Sequence, residues 1–172
     1  MVVIRLLTLL AGAVSMFAAM GVSGSHAQEE GFWKLVCADD QPTKTTKSCL
    51  LRGDFLTKQG QRAARVVFGI AKTKAGPTWY INAIMPLGLH LPSGAGYRVD
   101  TSKPKPLTLQ YCDTDGCRGN KVLSGADLTQ IKKGNSLRLL MADGKSRKGI
   151  GLDFTLSGVT DAMNRLAALP TP

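Results

Sequence analysis

Ile150-Gly151-Leu152-Asp153-Phe154-Thr155-Leu156-Ser157 alternates apolar with small or polar residues along its whole length. Side chains of a strand point to opposite faces with a period of two, so this stretch buries one face and wets the other. Leu137, Leu139 and Met141 repeat the pattern around Arg138, with Leu140 breaking the outer face. Arg65 to Ala71 and Thr78 to Met85 are rich in Val, Ile, Phe, Trp and Tyr, the types that suit a pleated surface. Lys74-Ala75-Gly76-Pro77 between them reads as a turn and predicts a hairpin. Phe32 to Cys37, Ser48 to Leu56 and Leu107 to Cys112 bring the expectation to about six or seven short strands.

Helix signals are sparse. Ser124 is a capping residue ahead of Gly125 to Lys133, with Asp127 early, Lys132 and Lys133 late and Gly134 closing, which predicts one short surface helix. Ser157 to Leu169 predicts a second, carrying Val159, Met163, Leu166 and Leu169 on one side. Pro86-Leu87-Gly88-Leu89-His90-Leu91-Pro92 is bracketed by prolines and reads as a bent edge strand, leucines inward and His90 outward, with a glycine turn after it. Lys103-Pro104-Lys105-Pro106 is an extended exposed connection. The fold class expected is all-β: a sandwich or small barrel with one or two short helices.

The chain opens with Arg5, an apolar run from Leu6 to Met20 and the small-residue site Ser25-His26-Ala27. That order describes a cleavable Sec-type signal peptide over residues 1–27. Gly12, Gly21 and Gly24 dilute the apolar run, and a bilayer span needs roughly 20 predominantly apolar residues, so a retained anchor fits less well. A single Arg5 does not make a twin-arginine signal, and no cysteine follows the cut to carry a lipid. Residues 28–172 then form one domain of about 145 residues, enough to bury roughly two thirds of the surface its unfolded chain exposes. No later run is long enough to cross a membrane.

The formal charge of +10 falls to +9 when Arg5 leaves with the leader. Lysines and arginines are spread in pairs, among them Lys72 with Lys74, Lys103 with Lys105, Lys132 with Lys133, and Lys145, Arg147 and Lys148. This suits either a well-solvated surface or attraction to lipopolysaccharide, glycans or phospholipid head groups. Nucleic acid fits poorly: there is no basic stripe interleaved with aromatics and no recognition-helix pattern.

Four cysteines, Cys37, Cys49, Cys112 and Cys117, follow the leader, and in an oxidising compartment an even count implies pairing. Four allow three connectivities, and the spacing favours Cys37 with Cys49 and Cys112 with Cys117, since both pairs close turn-like loops. A four-thiolate zinc site is the rival, but its ligand pairs are usually two to four residues apart. Catalytic signals are weak. His90 is the one histidine after processing, no serine sits in a Gly-x-Ser-x-Gly elbow, and there is no Cys-x-x-Cys. Asp113 and Asp115 around a glycine turn resemble half of a calcium loop without its closing Glu, so they more simply shape the turn. No catalytic, cofactor or metal residue is assigned.

Trp33 close behind the leader, Cys37 and Cys49, Pro86-Leu87-Gly88 with Leu91-Pro92-Ser93-Gly94, and Cys112 with Gly116-Cys117 together resemble the invasion-associated locus B family of exported bacterial proteins. The likeness runs over nearly the whole mature chain. It implies an all-β domain in the periplasm or at the cell surface of a Gram-negative organism, with no catalytic residues to carry over. The expectation is therefore a non-enzymatic binding module whose loops meet an anionic envelope component or a protein partner. Leu91, Ser93, Tyr97, Lys103 and Lys105 are the candidate contact residues, because loops on a rigid scaffold usually carry recognition. A periplasmic envelope hydrolase working through carboxylates is the alternative.

Overall fold

The computed structural model describes residues 31–38 and 48–169; the leader with its cut site, the Asp39-Asp40 pair, Lys44 and Lys47 lie outside them. Along the described chain run β1 (Lys34–Ala38), β2 (Ser48–Leu56), β3 (Arg62–Thr73), β4 (Gly76–Met85), β5 (Ala95–Val99), β6 (Lys105–Asp113) and β7 (Gly116–Val122). Helix α1 (Gly125–Lys133), β8 (Ser136–Ala142), β9 (Gly149–Thr155) and α2 (Val159–Ala167) follow. The nine strands form one antiparallel sheet in the order β1-β2-β3-β4-β7-β6-β5-β8-β9. The expected hairpin is β3–β4, paired from Arg65↔Ile84 to Thr73↔Gly76 around a turn at Lys74-Ala75.

The sheet curls into a half-barrel. Its two edge strands, β1 and β9, come near each other without a ladder between them. Trp33 Nε1 donates to the Thr155 carbonyl at 2.8 Å, and Phe154 meets Phe32 and Phe55 with ring centroids 6.2 and 6.0 Å apart. Aromatic side chains therefore bridge the seam where backbone pairing stops. Inside the curl lie Leu51, Val66, Phe68, Ile81, Leu137, Leu139 and Phe154, all fully buried. In β9 the alternation seen in the sequence holds, with Phe154 buried and Gly151, Asp153 and Thr155 exposed.

Helix α1 starts at a complete capping box. The Ser124 hydroxyl accepts from Asp127 N, and the Asp127 carboxylate accepts from Ser124 N. Helix α2 buries Val159, Ala162, Met163 and Leu166, the spacing of one helix face, against β1, β2 and β3. Thr160 Oγ1 donates to the Lys132 carbonyl at 2.9 Å and ties the two helices together.

Two expectations need correction. The six or seven strands become nine, because β5 and β7 pair along stretches rich in Gly, Arg, Asn and Lys that carry no strand pattern of their own. Pro86 to Pro92 is no edge strand: it makes a single bridge, Leu89↔Asp143, and then a 3-10 turn over Leu91–Ser93. Outside a ladder the period of two does not apply. Leu87 and Leu91 accordingly point out, 57% and 46% exposed, while Leu89 packs on the core.

Candidate functional site

Both cystine bridges join residues that face each other across antiparallel neighbours. Cys37–Cys49 staples β1 to β2, and Cys112–Cys117 staples β6 to β7. No described cysteine is free, so the thiolates that zinc or nucleophilic chemistry requires are absent from the described residues. Among those residues there is also no cluster of three or more His, Cys, Asp or Glu side chains placed to hold a metal.

The turn between β6 and β7 is built by its aspartates. Asp113 Oδ1 accepts from Asp115 N at 2.8 Å, the side-chain to backbone bond the sequence suggests. Arg118 bonds Asp113 at 3.2 Å and Asp115 at 3.3 Å, lies over the Tyr111 ring at 5.7 Å, and Arg62 also pairs with Asp115. The carboxylates face guanidinium groups, an arrangement that answers their charge from within the protein.

The five candidate contact residues separate. Ser93 and Lys105 line one open groove of about 350 Å³, together with Gly94 to Gly96, Pro104, Pro106 and Leu140 to Ala142. Ser93 Oγ also shares a hydrogen bond with His90 Nδ1 at 2.7 Å, fixing the 3-10 turn that displays Leu91. Lys103 is exposed beside this groove's proline. Tyr97 is different: it is 0% exposed in the core and offers no partner a surface. Among the described residues its hydroxyl has no hydrogen-bond partner of good geometry, and burial first, then the nearby Asp127 charge, pushes the phenol's pKa up.

Lys105 also has partners within the protein. Its Nζ donates to Asp127 Oδ1 at 2.5 Å and to Gln130 Oε1 at 2.6 Å, fastening β6 to α1. Burial alone would push the Asp127 carboxyl up, but hydrogen bonds from Lys105 and Ser124 outweigh it and hold the pKa at about 2. The side chain is committed to this buried acid. A second groove, of about 730 Å³, opens beside it between α1 and the Val99 to Ser102 corner.

The sequence left the turn between β8 and β9 as one basic group among several. In the structure Gly144 N donates to the Gly88 carbonyl at 2.8 Å and His90 N to the Ala142 carbonyl at 2.9 Å. The turn and the Pro86 to Pro92 segment are thus one backbone-bonded unit. Three cations within four residues, between two clean strand patterns, were the available signal. The pairing with a proline-bracketed segment about fifty residues earlier was not.

The protein-family model for "Invasion associated locus B (IalB) protein" matches residues 33–167. Two curated proteins, each named Invasion protein B homolog, from Brucella abortus strains 2308 and 9-941, are 24% identical over 159 residues, covering 91% of this chain and 89% of theirs. The crystal structure of invasion associated protein b from Bartonella henselae superposes with a TM-score of 0.68 at 22% identity, over 81% of this chain and 92% of that one. Helices long and apolar enough to cross a membrane are absent from the described residues. With the family model spanning the sheet, both cystine bridges and α2, the chain belongs to the invasion associated locus B family.

Proposed function

We propose that the chain is an exported, non-enzymatic binding module of a Gram-negative envelope. It acts in the periplasm or at the cell surface once residues 1–27 have been removed. The observation that carries the reading is a one-sided use of charge. Asp54, Asp113, Asp115, Asp127 and Asp153 each face an Arg or Lys, and Asp100 and Asp143 accept backbone N–H groups. Lys103, Lys133, Lys145, Arg147 and Lys148 are exposed and have no carboxylate partner among the described residues. Apart from the exposed Asp161, the described acids are answered by cations or backbone N–H groups of the protein itself, and surplus cations face outward, which suits an anionic partner.

The same pattern disfavours the carboxylate hydrolase. Such chemistry needs one acid held protonated by a raised pKa beside a second, ionised one. Asp113, Asp127, Asp143 and Asp153 are instead all held toward the ionised form. The relatives' names speak of invasion. A part in host-cell contact would follow here only through binding.

Retention of the purified, oxidised protein on envelope fractions, followed across a salt series, tests the proposal alongside a screen for turnover of peptidoglycan and glycans with and without metal. Retention that falls as salt rises, without turnover, supports it. Turnover abolished by a single Asp substitution overturns it.

A further inference from the structure

We propose that Leu87 and Leu91, together with Lys145, Arg147 and Lys148, form a docking surface for an anionic phospholipid bilayer. The inference rests on the anionic-partner reading above and gives that partner a chemistry and a place.

The surface is held by backbone, not by mobile side chains. Gly144 N bonds the Gly88 carbonyl at 2.8 Å, so Leu87 and Lys145 are the chain neighbours of a bonded pair. The approach is so close that a Cβ on Gly144 would sit 2.5 Å from the Gly88 oxygen. Within the turn, Arg147 N donates to the Asp143 carbonyl and Asp143 N to the Lys148 carbonyl, both at 2.9 Å. Gly88 takes a φ of +81° and Pro86 and Pro92 fix the ends of the leucine segment. Little ordering remains to be done on contact, which lowers the entropic cost of docking.

Its net charge is positive. Asp143 is the acid of this unit, and its Oδ1 is turned inward to accept Lys145 N at 3.2 Å, Ser146 N at 2.7 Å and Ser146 Oγ at 2.7 Å. Lys145, Arg147 and Lys148 are all exposed around it. A soluble polyanion would answer these cations and leave two large leucines in water. A bilayer surface answers both: lipid phosphates meet the cations while the leucines reach the boundary of the acyl region.

The test uses the full mature protein with vesicles of phosphatidylglycerol in phosphatidylcholine, and pure phosphatidylcholine as the neutral control. Each basic residue near an anionic surface is worth roughly a fivefold factor, so Lys145→Gln/Arg147→Gln/Lys148→Gln weakens binding about a hundredfold. A charge-matched variant elsewhere on the surface, Lys58→Gln/Lys72→Gln/Lys74→Gln, weakens it less than about fivefold. Leu87→Ser/Leu91→Ser costs roughly tenfold with the charge intact. Leu87→Trp gives an indole emission that shifts blue when phosphatidylglycerol vesicles are added and stays fixed with neutral ones. Far-ultraviolet dichroism confirms that each variant is folded. Equal losses in the two glutamine triples, or no effect of the leucine changes, overturn the surface. A wild type that ignores vesicles yet is retained on envelope fractions in a salt-sensitive way overturns bilayer docking and leaves the anionic-partner reading intact; retention on neither removes both.

Discussion

Lys105 on β6 donates to Asp127 on α1 at 2.5 Å, and the same carboxylate closes the α1 capping box through Ser124. One buried acid thus holds a helix start, a strand and a lysine together. Its folded pKa of about 2 lies below the ordinary 3.8, so the ionised form favours the fold. That stabilisation is fully present above about pH 4 and disappears as pH falls through the folded value. Asp127→Asn should lower the unfolding free energy on the order of 2 kcal/mol at neutral pH. In urea melts the gap from wild type should close between about pH 4 and pH 2. A gap independent of pH would refute the arrangement.

Substitutions among the five candidate contact residues should separate stability from binding. Lys105→Met removes the partner of a buried charge, so it should lower the urea midpoint by an amount worth about 1 to 3 kcal/mol. Lys103→Glu, at an exposed position, should leave the midpoint within about 0.5 kcal/mol of wild type. Tyr97→Phe deletes a hydroxyl without a good partner and should cost less than about 0.5 kcal/mol. A Tyr97→Phe protein that melts far below wild type would show that the hydroxyl is bonded after all.

The two bridges should differ in worth. Cys37–Cys49 closes a separation of 12 residues and Cys112–Cys117 one of 5. On the chain-entropy account the first contributes about 3 kcal/mol and the second about 2. Replacing each pair with serine and comparing denaturant midpoints at matched slopes checks the order. A larger loss from the second pair would contradict it.

Gly116 sits at a φ of +137°, where a Cβ would lie 2.3 Å from the Met85 carbonyl oxygen. That neighbour is backbone in β4 and cannot rotate away. Gly116→Ala should therefore cost more than about 2 kcal/mol, whereas Gly60→Ala, at a φ of +77° with open space around it, should cost about 1. Thermal melts of the two variants give the comparison, and equal losses would contradict it.

Much of this architecture was legible in the residues. Leu137, Leu139 and Met141, the alternation through β9 and the turn at Lys74-Ala75 all carry a local signal strong enough to place strands. The cap at Ser124 and the face of α2 are equally local. What the sequence hid depends on neighbours. In β7, Gly119 is small because Leu107 Cβ and Met85 Cε would lie 3.2 and 3.3 Å from any Cβ there, so a strand with little β propensity is imposed by the strands beside it. Tyr97 looked like a loop aromatic because β5 has the sequence Ala95-Gly96-Tyr97-Arg98-Val99, and pairing with β6 and β8 turns that ring inward. Lys105 looked like surface charge for the same reason: its partner, Asp127, lies 22 residues away. Likewise, nothing near Leu87 announces the cations at Lys145 to Lys148.

On the proposed reading, surplus positive charge on a stapled, rigid sheet meets an anionic surface at one place. Amide chemical shifts of the isotope-labelled mature protein, recorded while anionic and then neutral phospholipid nanodiscs are added, locate that place residue by residue. Changes should concentrate in residues 86–93 and 143–149, with anionic discs only, and be reversed by salt. Changes scattered over all the basic turns, or none at all, would contradict it.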